Sequence, residues 1–342
     1  MKHHFVRSAL CAAVALSSAM ALGAPNAQAE TYRWLTWKSQ NAGDSMAANI
    51  QWFVDEFAKR TGGKHKINVM WGGSAASQVE LPDAISAGVG SMGDIVISYY
   101  MDKFLLNNAV SYFVPQPLST EEIGDAMQRW HTTYPQFDQE LARYNLKVIG
   151  YRPLEPYGLL CTSPVRTLAD FRGKRVRSYG SAYPALFKAL GATPISITTT
   201  ETYEALQRGI IDCTTTGVTY TRSFQWQEVA KYYTDIPFGA SYGQFIVMNL
   251  DMYKKLDPVA KKAIDELGHE NHRNFVAFSK KLTADVIEGW KAKGVTHIPF
   301  PQDIFKDVIK DKDIQKLRQS WIDRATKLGV PGEKIAEELT VH

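Results

Sequence analysis

The amino-acid sequence predicts an α/β protein of two lobes with a cleft between them. Three observations carry that reading. Taking a leader of 29 residues from the 342 leaves 313, more than one hydrophobic core commonly serves. The spacing of apolar residues switches between helical and alternating, in the strand, helix, strand order of a parallel α/β sheet. A similar helix-to-strand unit also occurs once in each half of the chain.

The leader is Met1 to Ala29. Lys2 and Arg7 form a positive start, Ala9 to Leu22 are nearly all small or apolar, and Ala27-Gln28-Ala29 is a small-x-small cleavage site. This is the pattern of a secretory signal, so the mature chain is expected to begin at Glu30 and to work in the periplasm. A lipoprotein anchor fits less well, because Cys11 follows Leu10 rather than a small residue and sits too early. No later apolar run reaches the ~20 residues a membrane span needs, so the mature protein is not expected to be membrane-embedded. Losing Lys2 and Arg7 lowers the formal charge from +4 to +2, which gives no support for a nucleic-acid partner.

Arg33-Trp34-Leu35 reads as the first strand. Asp44 then caps a helix whose Met46, Ile50, Phe53, Val54 and Phe57 recur at helical spacing until Thr61-Gly62-Gly63 stops it. The period next changes to two, with Ile67, Val69 and Trp71 alternating up to the Gly72-Gly73 turn. The repeated unit follows. Glu80, Ala84, Ile85 and Gly88 share their spacing with Glu201, Ala205, Leu206 and Gly209, and each set leads to an aspartate opening a strand, Asp94 to Ser98 or Asp212 to Thr216.

Between the units, Ser119 and Glu122 have capping-box spacing and open a helical stretch that runs to Leu141. A strand over Leu146 to Tyr151 comes next. Pro153, Pro156 and Gly158 then punctuate the chain, and the first crossing between lobes is placed here. Leu159 to Cys161, a second capping box at Thr167 and Asp170, and a short strand through Lys174 to Arg177 follow. Gln244 to Leu250 is a further strand, and a mostly helical tail runs from about Pro258 to Leu328. The expected division assigns 30–153 with 243–282 to lobe I and 154–242 with 283–342 to lobe II.

Cys161 and Cys213 remain after the leader. An oxidising periplasm lets them pair if their Cα atoms lie within about 7 Å, and otherwise they read as two small buried apolar residues. The absence of a CxxC pattern argues against thiol-redox or zinc chemistry. Enzyme signatures are also missing: no G-x-S-x-G elbow, no H-E-x-x-H helix, no Walker loop and no G-x-G-x-x-G after a strand. His269 and His272, three apart on a helix, read as a solvated face rather than a metal site. No catalytic residue, metal or cofactor is therefore expected.

Binding chemistry is better supplied. Tyr99-Tyr100, Ser178-Tyr179-Gly180 and Thr214-Thr215-Thr216-Gly217 each follow or end a strand, where ligands of open α/β sheets sit. Arg175 and Arg177 share one side of their strand if alternation holds. One then stays at the surface, and the other is either part of a structural salt bridge or a guanidinium fork suited to a carboxylate.

The run Thr167-Leu168-Ala169-Asp170-Phe171-Arg172-Gly173-Lys174-Arg175-Val176-Arg177, then Leu190-Gly191-Ala192-Thr193-Pro194, then Glu201 to Asp212, resembles the DctP-like solute-binding subunits of tripartite ATP-independent periplasmic (TRAP) transporters. Glu228 to Tyr232 and Asn249-Leu250-x-x-Tyr253-x-x-Leu256 add to the likeness, which covers the mature chain in order. The resemblance implies a periplasmic binding protein fold with mixed sheets, strands that cross between lobes, and a long helix spanning both. It also implies capture of a small organic acid, lobe closure over it, and delivery to membrane permease subunits.

Arg177 matches the arginine of the family's G-x-K-x-R pattern, which pairs with the ligand carboxylate. Family segments place Gln78, Tyr99, Tyr100 and Thr216 near the ligand. A second pocket arginine of many members is missing, since its stretch reads Glu155-Pro156-Tyr157-Gly158 and Arg152 is displaced. A dicarboxylate or sialic acid is thereby disfavoured. A monocarboxylate with an apolar or aromatic body fits Trp37, Trp71, Tyr99, Tyr100 and Tyr157, with Tyr179 beside them. A cation held by aromatic faces and Glu155 is the alternative ligand, and a ligand sensor is the alternative role.

Overall fold

The computed structural model describes residues 30–41, 43–240 and 243–340, so the leader and its cleavage site lie outside the described residues. Two mixed sheets organise the molecule. The first contains β1 (Thr31–Leu35), β2 (Lys66–Met70), β3 (Met92–Val96), β4 (Leu146–Pro153) and β10 (Gly243–Asn249), in the order β2-β1-β3-β10-β4. The second contains β5 (Tyr157–Cys161), β6 (Arg175–Ser178), β7 (Thr193–Ser196), β8 (Cys213–Thr216), β9 (Tyr232–Gly239) and β11 (Thr296–Ile298), in the order β11-β9-β5-β8-β6-β7. β1 runs parallel to β2 and β3, and β6 parallel to β7 and β8, as strand-helix-strand units require. β10 lies antiparallel to β3 and β4, and β5 antiparallel to β8 and β9. The two-lobed α/β architecture expected from the sequence is the one observed.

The first helix, Ser45–Arg60, starts where expected: the Asp44 carboxylate accepts from the Ala47 N–H at 2.9 Å. Its Met46, Ile50, Phe53 and Phe57 are fully buried, and burial of such side chains contributes about 1.5–3 kcal/mol each. The stretch after Ser119 divides into two helices, Thr120–Thr133 and Pro135–Ala142, because Pro135 forces Tyr134 into extended backbone. The Ser119–Glu122 capping box is present.

Two strand crossings link the lobes. β4 leaves the first sheet and continues as β5 in the second, and β9 leaves the second and continues as β10 in the first. At the second crossing Gly239 has φ +73° and its Cα faces the Gln116 carbonyl, so a side chain there meets both backbone strain and a collision. The third link is the helix Pro258–Trp290, of 33 residues. Its Asn271 donates to the Tyr151 carbonyl in β4 at 2.7 Å, and its Trp290 donates to the Thr221 hydroxyl of the second lobe at 3.3 Å.

The tail expected to be mostly helical contains one further strand. The left-handed Gly294 breaks the helix, and β11 adds to the free edge of β9. The helix Lys312–Lys327 then lies against both lobes, touching the helix Ala182–Ala189 and the turn Ala109–Tyr112. Its Trp321 donates to the Leu105 carbonyl at 3.0 Å. Cys161 and Cys213 sit directly opposite in the β5–β8 ladder and form a disulfide, with Cα atoms 4.1 Å apart.

The histidine pair divides. His269 is exposed beside Gln128, whereas His272 is fully buried against Asp125, its ring packed under Gly124, so the solvated-face expectation holds for only one of them. Burial lowers the His272 pKa and Asp125 opposes that shift. Among the described residues no group of three or more His, Cys, Asp or Glu could hold a metal ion, and no helix is long and apolar enough to cross a membrane.

Candidate functional site

β6 carries two arginines with opposite fates. Arg175, with its side chain 44% exposed, grips Asp212 through Nη2 to Oδ1 at 2.7 Å and Nε to Oδ2 at 3.1 Å. That fork is a surface ion pair, and Asp212 is held below the usual carboxylate range chiefly by it. Arg177 is 2% exposed and reaches the seam between the lobes.

Its guanidinium donates from Nε to the Ile197 carbonyl at 3.2 Å and from Nη2 to the hydroxyls of Tyr99 and Thr199, both at 3.1 Å. Tyr99 closes the short turn Ile97–Tyr99 that follows β3, so it comes from the first lobe. Its hydroxyl also accepts from the Thr199 N–H at 3.1 Å and lies 3.1 Å from the Thr199 hydroxyl. One arginine and one threonine of the second lobe are thus tied to one tyrosine of the first.

Aromatic rings surround this junction. The Arg177 guanidinium sits 4.8 Å from the centre of the Tyr179 ring, within cation–π range. Tyr179 in turn makes edge contacts with Tyr99 and Tyr157, each at 6.4 Å between centroids, and with Tyr183 at 5.2 Å. Arg177, Tyr99, Tyr157 and Tyr179, four of the residues singled out in the sequence, therefore form one cluster.

Among the described residues, no hydrogen bond or ring contact joins Tyr100, Gln78, Thr216, Trp37 or Trp71 to this cluster. The Tyr100 hydroxyl donates to the Gln78 carbonyl at 3.1 Å, and both polar atoms of the Gln78 side chain are buried without a hydrogen-bond partner among the described residues. Thr216 turns its hydroxyl onto the Gly217 carbonyl at 3.0 Å, so within β8 it is the Thr215 carbonyl, not Thr216, that faces Arg177, at 3.5 Å from Nη1. Trp37 stacks on Phe224 at 5.9 Å with ring planes 10° apart. Thr199 was missed. Its signal was the threonine run 198–200 at a strand end, ahead of Glu201, which caps it through Thr198.

A second seam lies at Lys38. The side chain is 1% exposed, is ion-paired with the fully buried Asp44, and donates to the Ser223 hydroxyl at 3.3 Å. Its ammonium stands 4.1, 5.0 and 5.1 Å from the ring centres of Phe224, Tyr220 and Trp37. The aromatic faces that could cradle a cationic ligand here hold the protein's own cation. Glu155 is likewise engaged: it accepts from the Thr219 N–H and hydroxyl at 3.0 and 2.6 Å, and from the Thr283 hydroxyl at 2.9 Å. Burial pushes its pKa up from 4.5 to about 7. Arg152, the displaced arginine, is fully buried and ion-paired with Asp94, which also accepts from Trp34 Nε1 at 3.0 Å. A cavity of about 1050 Å³ opens at the hinge; Tyr157 lines it, whereas Arg177 and Tyr99 do not.

Comparison with known proteins agrees with this architecture. The pattern of the bacterial extracellular solute-binding proteins, family 7 (DctP), matches residues 38–317. The uncharacterized protein YiiZ of Salmonella typhimurium is 25% identical over 218 residues, which is 63% of this chain and 66% of that protein. A solute-binding protein of Albidiferax ferrireducens is 26% identical over 48% of each chain, so the chain spans about half to two thirds of the length of these relatives. Among solved structures, a TRAP solute-binding protein of Rhodoferax ferrireducens with copurified benzoate superposes with a TM-score of 0.79, at 17% identity over 91% of this chain and 96% of that one. One from Bordetella bronchiseptica with bound mandelate gives 0.77, at 18% identity over 91% and 97%. With a family pattern spanning most of its length and a fold that matches, the chain belongs to family 7 of the bacterial extracellular solute-binding proteins, the DctP family that its motifs resemble.

Proposed function

We propose that this protein is the exported, non-catalytic receptor of a TRAP transporter, and that it captures a monocarboxylate with an apolar or aromatic body and delivers it to the membrane permease. The observation that carries the reading is Arg177, a guanidinium buried where the two lobes meet and ringed by Tyr99, Tyr157 and Tyr179. A carboxylate entering the seam takes the place of the neutral hydroxyl acceptors, and charge-assisted forked bonds are about twice as strong as those to neutral acceptors. The tyrosine rings then cover the body of the ligand.

The structurally similar proteins named above hold benzoate and mandelate, both monocarboxylates that carry an aromatic ring. Arg152 is neutralised by Asp94, which supports a ligand with one negative charge rather than two. The Lys38 ammonium inside the aromatic box, and the saturated carboxylate of Glu155, count against a cationic ligand.

The test is a thermal-shift screen of protein freed of ligand by unfolding and refolding. Benzoate, mandelate, pyroglutamate, a uronate and a C4 dicarboxylate form the core panel. A cognate monocarboxylate at a hundred times its Kd raises stability by about 2.7 kcal/mol. Arg177→Met, which keeps the volume and removes the charge, abolishes that shift. A response to no acid, or one that survives Arg177→Met, overturns the proposal.

A further inference from the structure

The cavity at the hinge has a charge of its own. Arg318, on the helix Lys312–Lys327, is nine-tenths buried and lines this cavity. It donates once, from Nη2 to the Val114 carbonyl at 3.3 Å, and its guanidinium lies 5.8 Å from the Phe113 ring centre. Its Nε is buried with no hydrogen-bond partner, and no carboxylate lies within 4.0 Å of it among the described residues. Leaving a buried guanidinium without a counter-charge is costly. Burial alone lowers its pKa, with no acidic neighbour acting against that shift.

The carboxylates on the cavity wall are engaged elsewhere. Asp235 pairs with His297 at 2.6 Å, Asp303 pairs with the wall's other cation, Lys306, at 3.5 Å, Glu122 accepts from the Ser119 N–H at 2.8 Å, and Glu155 is held by Thr219 and Thr283. The rest of the wall is largely apolar, including Pro117, Leu118, Ile236, Phe305 and Ile309. We propose that this cavity is a second ligand site, separate from the Arg177 cleft, that binds a carboxylate with an extended apolar body, the carboxylate on Arg318 and the body along the apolar wall.

A volume of about 1050 Å³ lies at the upper end of the range for small-molecule sites, roughly 300–1,000 Å³, and accommodates an acid with an extended chain. The site abuts the crossing segment through Glu155 and Tyr157, and Tyr157 also contacts Tyr179 of the cleft.

Octanoate is the probe, titrated by calorimetry into the full-length Arg177→Met protein so that the cleft's anchor is gone. One equivalent binds, and octanamide, its uncharged analogue, binds about tenfold or more weakly, as loss of a charge-assisted contact requires. Ile287→Glu, a change at an exposed position on the cavity rim, and Arg318→Gln each weaken octanoate by a similar factor. Neither alters the affinity of wild-type cleft for its own acid. Absence of octanoate binding to Arg177→Met, equal binding of octanamide, or octanoate binding unchanged by Ile287→Glu overturns the second site, while the cleft reading stands or falls on its own screen.

Discussion

Glu155 shows how one residue's surroundings set its behaviour. It sits in the segment that crosses from β4 to β5, 8% exposed, with its carboxylate fixed by Thr219 on one side and Thr283 of the long helix on the other. Burial is the largest cause of its raised pKa, the three donors pull it back, and the charge of Asp44 adds a smaller push upward. Because its folded pKa of about 7 exceeds the ordinary 4.5, the folded state binds the proton more tightly than the unfolded chain. The stability this contributes is fully present below pH 4.5 and is lost as pH rises through 7. Glu155→Gln keeps the shape without the charge, so it should match wild type in urea unfolding at pH 4.5 and exceed it at pH 8 by on the order of 2–3 kcal/mol. An equal loss at both pH values would show that the carboxylate's hydrogen bonds outweigh its burial.

Residue by residue, the sequence was an uneven guide. Alternation alone did not separate Arg175 from Arg177; the family motif singles out Arg177, and the structure pairs Arg175 with Asp212 at the surface. Lys38 was not legible, since its meaning depends on Asp44, Tyr220 and Phe224, of which the last two lie more than 180 positions away. In β8 the Thr215 carbonyl meets Arg177 while the Thr216 hydroxyl turns to the Gly217 carbonyl, a backbone contact that residue type does not reveal.

At the scale of elements, local signals were read well and pairings were not. The Asp44 cap, the Ser119–Glu122 box and the glycine stops are properties of a few neighbouring residues, and each occurs in the structure. That β10 inserts between β3 and β4, or that β11 extends the second sheet, follows from contacts made across the molecule and leaves no local trace. The Cys161–Cys213 pairing is of the same kind: the bond depends on β5 and β8 being neighbours in register. It closes a loop with a sequence separation of 52, worth about 4 kcal/mol by restriction of the unfolded chain. The Cys161→Ala/Cys213→Ala variant should therefore unfold at a lower urea midpoint than wild type. Reductant should bring wild type down to the variant's midpoint and leave the variant where it is; a variant as stable as wild type would mean the β5–β8 ladder holds without the cross-link.

For the whole molecule, what matters is what holds the lobes together. Among the described residues, polar ties across the seam include Tyr99 with Arg177 and Thr199, Lys38 with Ser223, Arg222 with the Gly43 carbonyl at 2.7 Å, and Gln244 Nε2 with the Tyr220 hydroxyl at 3.1 Å. Of these, the first belongs to the ring of residues around the proposed ligand carboxylate, so under the proposed function the Lys38 contact would act on closure without touching the ligand. Cation–π contacts of desolvated ammonium groups are worth up to about 2 kcal/mol, enough to shift an open–closed equilibrium by more than an order of magnitude. Lys38→Met removes that contact but strands the buried Asp44 carboxylate, a loss of about 3–5 kcal/mol in stability unrelated to closure. Lys38→Met/Asp44→Asn relieves the stranded charge and isolates the effect. The double variant should recover most of the stability, show a larger radius of gyration than wild type by solution scattering when free of ligand, and contract on adding the cognate acid, with affinity about 5- to 30-fold weaker because the acid must supply the closure energy that Lys38 supplied. An unchanged radius together with unchanged affinity would mean that Lys38 merely fills space, and that the Arg177 junction alone governs closure.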